Sequence, residues 1–130
     1  MKPPKDVTVL DTETSTYWIE DSGIICSITK KSAFQPMEDY QKSMWEFRKK
    51  IGDRKVCLLV DATNAAESNK EIRDYVALEL PKFVKALAVL SGSALGKMLA
   101  NLFFKLKTQP YPIRIFNDEL KAREWLKQYI

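Results

Sequence analysis

The alternation of apolar and polar positions divides the chain into segments of two periods, one close to two residues and one close to 3.6. Tyr17 to Glu20 and Gly23 to Thr29 are short apolar runs on either side of Asp21-Ser22, a turn chemistry that predicts an opening β-hairpin. Pro36 precedes MEDYQKSMWEFRKKIG, where Met37, Tyr40, Met44 or Trp45, Phe47 or Arg48, and Ile51 recur at helical spacing. Glu38 and Asp39 near its start and Arg48, Lys49 and Lys50 near its end suit the helix dipole, and Gly52 supplies the stop. Residues 55–61, KVCLLVD, are a continuous apolar run closed by an acid, the pattern of a central strand covered on both faces. Ser68 with Glu71 three residues on forms a capping box, which predicts a helix from Asn69 that ends or kinks at Pro81.

KALAVL reads as a second buried strand, Ser93 as the N-cap of a helix running to about Lys107, and QPYP as a loop. PIRIF is a short strand. Asp118 then caps an amphipathic helix with Leu120, Ala122 or Arg123, Trp125, Leu126 and Tyr129 on its apolar side. The order ββαβαβαβα predicts an α/β domain. Its sheet is mixed, with about five strands and about four helices, the later strands parallel and joined by right-handed crossovers. At 130 residues, 45% of them apolar, the chain has the core of one domain, residues 1–130, with 1–15 expected to be loosely ordered.

Composition narrows the chemistry. The chain has no histidine, which removes the commonest general base and metal ligand, and no cluster with metal-ligand spacing; neither a catalytic residue, a metal nor a cofactor is expected. Cys26 and Cys57 both lie in apolar strand-like runs, the placement of reduced core thiols, in preference to a disulfide or a reactive nucleophile. MKPPKDVTV is polar and carries prolines where a signal sequence is apolar, so a cytoplasmic protein is expected. Phe83 to Phe104 is apolar enough to call for a membrane test. Lys97 and Asn101 inside it, and the break at Ser91-Gly92-Ser93, favour a buried strand followed by a helix over a membrane span. Lys and Arg total 21 against 17 Asp and Glu, a mild excess read as a solvated surface without nucleic acid as partner.

One stretch tests for nucleotide binding. LAVLSGSALGKML places Gly92 and Gly96 around three residues, whereas a P-loop needs four, and Met98 stands where the magnesium-binding hydroxyl belongs. What survives is a weak anion site at Ser93 and Lys97, since a helix start offers free N–H groups.

The hairpin ending GIICSITKKS, the strand and acid LLVDAT, the unit KALAVLSGSALGKMLANLFFK and the ending PIRIFNDELKAREWLKQYI resemble STAS or SpoIIAA-like domains, the fold of the bacterial anti-sigma-factor antagonists. The resemblance spans almost the whole chain. It implies a non-enzymatic regulatory or protein-interaction domain that binds a protein partner or its own copy. In the antagonists the loop after the third strand carries D-S-x-G, whose serine is phosphorylated; this chain departs from that, reading ATNAAESNKEI after Asp61. Ser68 is the nearest hydroxyl at the matching helix start, where it serves as a plain N-cap or as a phosphosite.

The candidate partner surface is the loop and helix edge 61–70, with Asp61, Thr63, Asn64 and Ser68; the competing role of Asp61 is to accept hydrogen bonds from its own loop. In the helix from Ser93, Leu95, Met98, Leu99, Leu102 and Leu106 are assigned to a core stripe. Phe103 and Phe104 cannot both share that stripe: either the helix is buried on a broad face, or one of them marks a subunit contact or, with Leu99, an apolar pocket. A small apolar ligand or lipid bound under residues 93–107 is therefore the alternative function. Trp45, Trp125 and Tyr129 are read as core or edge packing.

Overall fold

The computed structural model describes residues 1–30, 36–64, 69–104 and 108–130, without the side chains of Leu102 and Phe103. Among the described residues, six strands, β1 (Leu10–Asp11), β2 (Ser15–Ile19), β3 (Ile24–Thr29), β4 (Val56–Asp61), β5 (Val84–Leu90) and β6 (Ile113–Phe116), form one sheet in their sequence order. The first two junctions are antiparallel and β3 to β6 run parallel. The described α-helices are α1 (Met37–Ile51), α2 (Lys70–Glu79), α3 (Ala94–Phe104) and α4 (Glu119–Leu126).

This is the predicted architecture with one strand more. β1 is two residues long and shows no periodicity of its own, but its pairing brings Leu10 opposite Tyr17. Residues 1–15, read as loose, also seat Met1 and Val7 against the core.

Three crossovers that advance along the sheet in one direction place their helices on one face if all are right-handed. The core divides accordingly. Ile51 of α1, Ile72 and Val76 of α2, and Ala100 and Phe104 of α3 pack with Ile25, Leu58, Val60, Leu87 and Val89. On the opposite face Ala122 and Leu126 of α4 pack with Cys26, Cys57, Leu59, Ala86 and Ala88. β4 and β5 are thus covered on both sides, as their unbroken apolar runs require. Small Ala86, Ala88 and Ala122, all fully buried, let α4 lie close to β5.

Local signals set the helix ends. Gly52 ends α1 at φ 66°, a conformation that a side chain disfavours. Asp118 caps α4 by accepting from the N–H groups of Leu120 and Lys121 at 2.8 and 3.3 Å. The cap of α2 is Asn69, whose Oδ1 accepts from Ile72 N–H at 2.9 Å, so the helix starts one residue later than the capping box at Ser68 implied. Pro81 falls in a 3-10 turn, Leu80–Lys82, that closes α2.

Two apolar stripes are corrected. Leu95 and Met98 are about 60% exposed, and the buried face of α3 carries Ala100 and Phe104 instead. Leu120 is likewise exposed, leaving Ala122 and Leu126 as the anchors of α4. Trp45 is also exposed, with the Lys49 ammonium 4.0 Å over its ring, whereas Met44, Phe47 and Tyr40 face the core. Trp125 packs against Phe116 and Tyr129.

A polar clamp ties α4 to the hairpin. Arg123 donates to both carboxylate oxygens of Glu20 at 2.7 and 3.1 Å and through Nε to Glu119 at 2.9 Å. Glu20 Oε2 also accepts from the Trp18 indole at 3.1 Å and from the Cys26 thiol at 3.4 Å.

Candidate functional site

The carboxyl ends of parallel strands are where open α/β sheets gather ligands, because loops diverge there and leave a crevice. In this chain that end holds a half-open pocket. Between the ends of β2, β3 and β4 and the helices α1, α2 and α3 lies a cavity of about 180 Å³. Its apolar wall is made by Met44, Val60, Val76, Leu99, Ala100 and Phe104.

The other wall is a strip of hydroxyls. Side chains alternate across a strand, so Ile25, Ser27 and Thr29 of β3 face the same side, and the register sets Ser27 beside Tyr17 and Thr29 beside Ser15. Ile25 and Tyr17 are buried in the core under the helices, so Ser27, Thr29 and Ser15 continue that core-facing row with polar groups. All three line the cavity, with Thr14 and Tyr40. The Ser15 hydroxyl is 3.3 Å from that of Thr12; among the described residues, nothing hydrogen-bonds the hydroxyls of Ser27 and Thr29. Burial pushes the Tyr40 phenol up.

The residues singled out from the sequence fall in three places. Leu99 and Phe104 line the cavity, with Phe104 8% exposed; Phe103 lies outside the described side chains. Asp61 is half-buried and turned to its own loop, accepting from the N–H of Thr63 at 3.0 Å and from its hydroxyl, with the Met1 amino group 3.7 Å from the other oxygen. Thr63 and Asn64 beside it are exposed, and Ser68 lies outside the described residues. Ser93 caps α3, accepting from Gly96 N–H at 2.9 Å, and Lys97 is exposed on the first turn.

The glycine that suggested a phosphate loop has a packing reason. A Cβ on Gly96 would strike the side chains of Ser91 and Ser93. Sequence reasoning missed the cavity's hydroxyl wall. The signal was present in β3, where Ser27 and Thr29 occupy successive positions of the row that Ile25 starts.

No described helix is long and apolar enough to cross a membrane, and no described cluster of His, Cys, Asp or Glu could hold a metal. The sheet order, with three helices on one face and the fourth on the other, defines an α/β domain of the SpoIIAA-like kind. The chain is similar to an uncharacterized protein of the DUF3478 family with a SpoIIAA-like fold from Shewanella loihica PV-4, whose crystal structure it matches at TM-score 0.56 and 16% identity, over 97% of this chain and 98% of that one. A family model described as a domain of unknown function, DUF7793, matches residues 17–130, and the chain belongs to that family. No curated protein matches it.

Proposed function

We propose that the chain is a non-enzymatic binding domain that holds a small, largely apolar ligand between its sheet and helices α1 to α3. The observation that carries this reading is the cavity itself. This half-open pocket of about 180 Å³ between sheet and helices has more room than an engineered cavity of about 150 Å³ that takes up benzene. Its test is a titration of the purified chain with toluene, followed by two-dimensional amide NMR. The reading expects saturable shifts at Val60, Val76, Leu99, Ala100 and Phe104, and their loss in Ala100→Leu, which fills the space. Shifts absent from the wild-type chain would refute it.

Partner binding through the edge 61–70 is the second reading, and one observation favours it. Ala62 lines the cavity while Thr63 and Asn64 next to it are exposed, so a protein or second copy seated on this edge would touch a loop that also touches the ligand. Sedimentation of the purified chain with and without toluene tests the self-association form of this reading. Asn64→Arg should weaken any association seen.

A further inference from the structure

We infer that the cavity takes an uncharged amphiphile of one ring or one short chain, with a single hydroxyl or carbonyl head held by Ser27 and Thr29. This rests on the reading of the cavity as a ligand site and adds the ligand's class. Size comes first. An apolar cavity of about 150 Å³ holds one benzene ring, so the space here suits a body of about six to ten non-hydrogen atoms, not a two-chain lipid.

Polarity comes next. Ser27 and Thr29 stand on adjacent core-facing positions of one strand, with Ser15 paired to Thr29, so their hydroxyls form one patch, with Thr14 and Tyr40 also on the lining and apolar side chains making up the rest. Each hydroxyl both donates and accepts, and so suits an alcohol or a carbonyl equally. A purely apolar ligand would strip water from these hydroxyls without replacing the lost hydrogen bonds, a desolvation cost that a polar head removes.

Charge decides the head group. Among the described lining residues none is ionic. Lys30, which follows Thr29 in the chain, is engaged with the Asp11 carboxylate at 2.9 Å. A carboxylate or phosphate head would lose its hydration and find hydroxyl donors but, among the described residues, no counter-ion there, whereas a neutral head loses far less.

Toluene, benzyl alcohol and benzoate share one ring and differ only in the head, so NMR titrations of the full chain at pH 7 separate the two claims. Benzyl alcohol should bind at least about tenfold more tightly than benzoate and shift the amides of Ser27 and Thr29. Ser27→Ala combined with Thr29→Val should cut benzyl alcohol affinity about tenfold and raise toluene affinity, since the hydroxyls that toluene would desolvate are gone. If benzoate binds as tightly as the alcohol, or the double variant binds the alcohol undiminished, the inferred class is wrong although toluene binding still supports the cavity. If toluene does not bind either, the ligand reading falls with it. The comparison on the unaltered chain decides the class even where the double variant fails to fold.

Discussion

Replacing Arg123 with Met tests whether α4 is held to the hairpin by charge pairing or by packing alone. Arg123 and Glu20 side chains are 24% and 15% exposed, so the pair is mostly but not fully shielded. Removing one partner of a fully buried pair costs about 3–5 kcal/mol, because a desolvated charge is left behind. Glu20 keeps its bonds from Trp18 and Cys26, and some water reaches it, so we expect a loss of about 2–3 kcal/mol. With a urea slope of about 1.5 kcal/mol/M for a domain of this size, the unfolding midpoint should fall by about 1.5 M. The pH dependence supplies a second signature. The Arg123 hydrogen bond holds the Glu20 carboxyl below its ordinary value of 4.5, against the upward push of burial. A lowered folded-state pKa contributes stability that is fully present above the ordinary value and disappears as pH falls through the lowered one. The variant lacks that contribution, so the gap between the two proteins should be widest at pH 7 and shrink below about pH 4. Adding Glu20→Gln to the Arg123→Met chain should recover part of the loss by removing the orphaned charge. A loss under about 0.5 kcal/mol, or one equally large at pH 3 and pH 7, would refute the argument.

Other positions give sharper or simpler outcomes. Burial pushes the Cys26 thiol up to about 12, and burial also raises that of Cys57, so Ellman's reagent at pH 8 should find almost no reactive thiol in the native chain and both free cysteines in urea. For Cys26 the thiolate fraction alone should slow reaction about a thousandfold, and fast native labelling would contradict its placement. Tyr111 is buried with no hydrogen-bond partner for its hydroxyl among the described residues, so Tyr111→Phe should leave stability unchanged or raise it by up to about 1 kcal/mol in urea melts. A loss would reveal a partner for that oxygen. Gly52→Ala should cost about 1–2 kcal/mol because φ there is 66°, while Gly92→Ala, whose added Cβ meets nothing, should be nearly neutral. Equal effects of the two would refute the conformational argument.

Strong periodicity and turn chemistry made most of the fold readable. Pro36 and Gly52 bound α1 as expected, KVCLLVD and KALAVL are the doubly covered strands, and Asp118 caps α4. What failed was the choice of face where every side of a helix is apolar. In ALGKMLANLFF, leucine and methionine surround the helix, and the position that meets the sheet is the small Ala100, so bulk pointed to Leu95 and Met98 instead. The start of α2 slipped by one because Ser68 and Asn69 are both capping residues, and Asn69 has the side chain that reaches Ile72 N–H. The Arg123–Glu20 clamp joins residues 103 positions apart and left no local trace.

The site was legible in part. The apolar excess of the helix beyond a single stripe points to Leu99, Phe103 and Phe104 as a pocket or subunit contact, and of these Leu99 and Phe104 line the cavity while the Phe103 side chain lies outside the described residues. The hydroxyl wall needed the strand register, since the inward direction of Ser27 and Thr29 follows only once Tyr17 and Ile25 are known to face the helices. At the candidate partner edge, Asp61 accepts hydrogen bonds from Thr63 of its own loop.

The most direct test of the ligand reading is where a bound amphiphile lies and which way it points. Intermolecular nuclear Overhauser effects from benzyl alcohol should place its ring protons beside Leu99, Val76 and Phe104 and its methylene beside Ser27 and Thr29. Contacts confined to the surface, such as the exposed ring of Trp45, or the reverse orientation with the methylene against Phe104, would contradict the account.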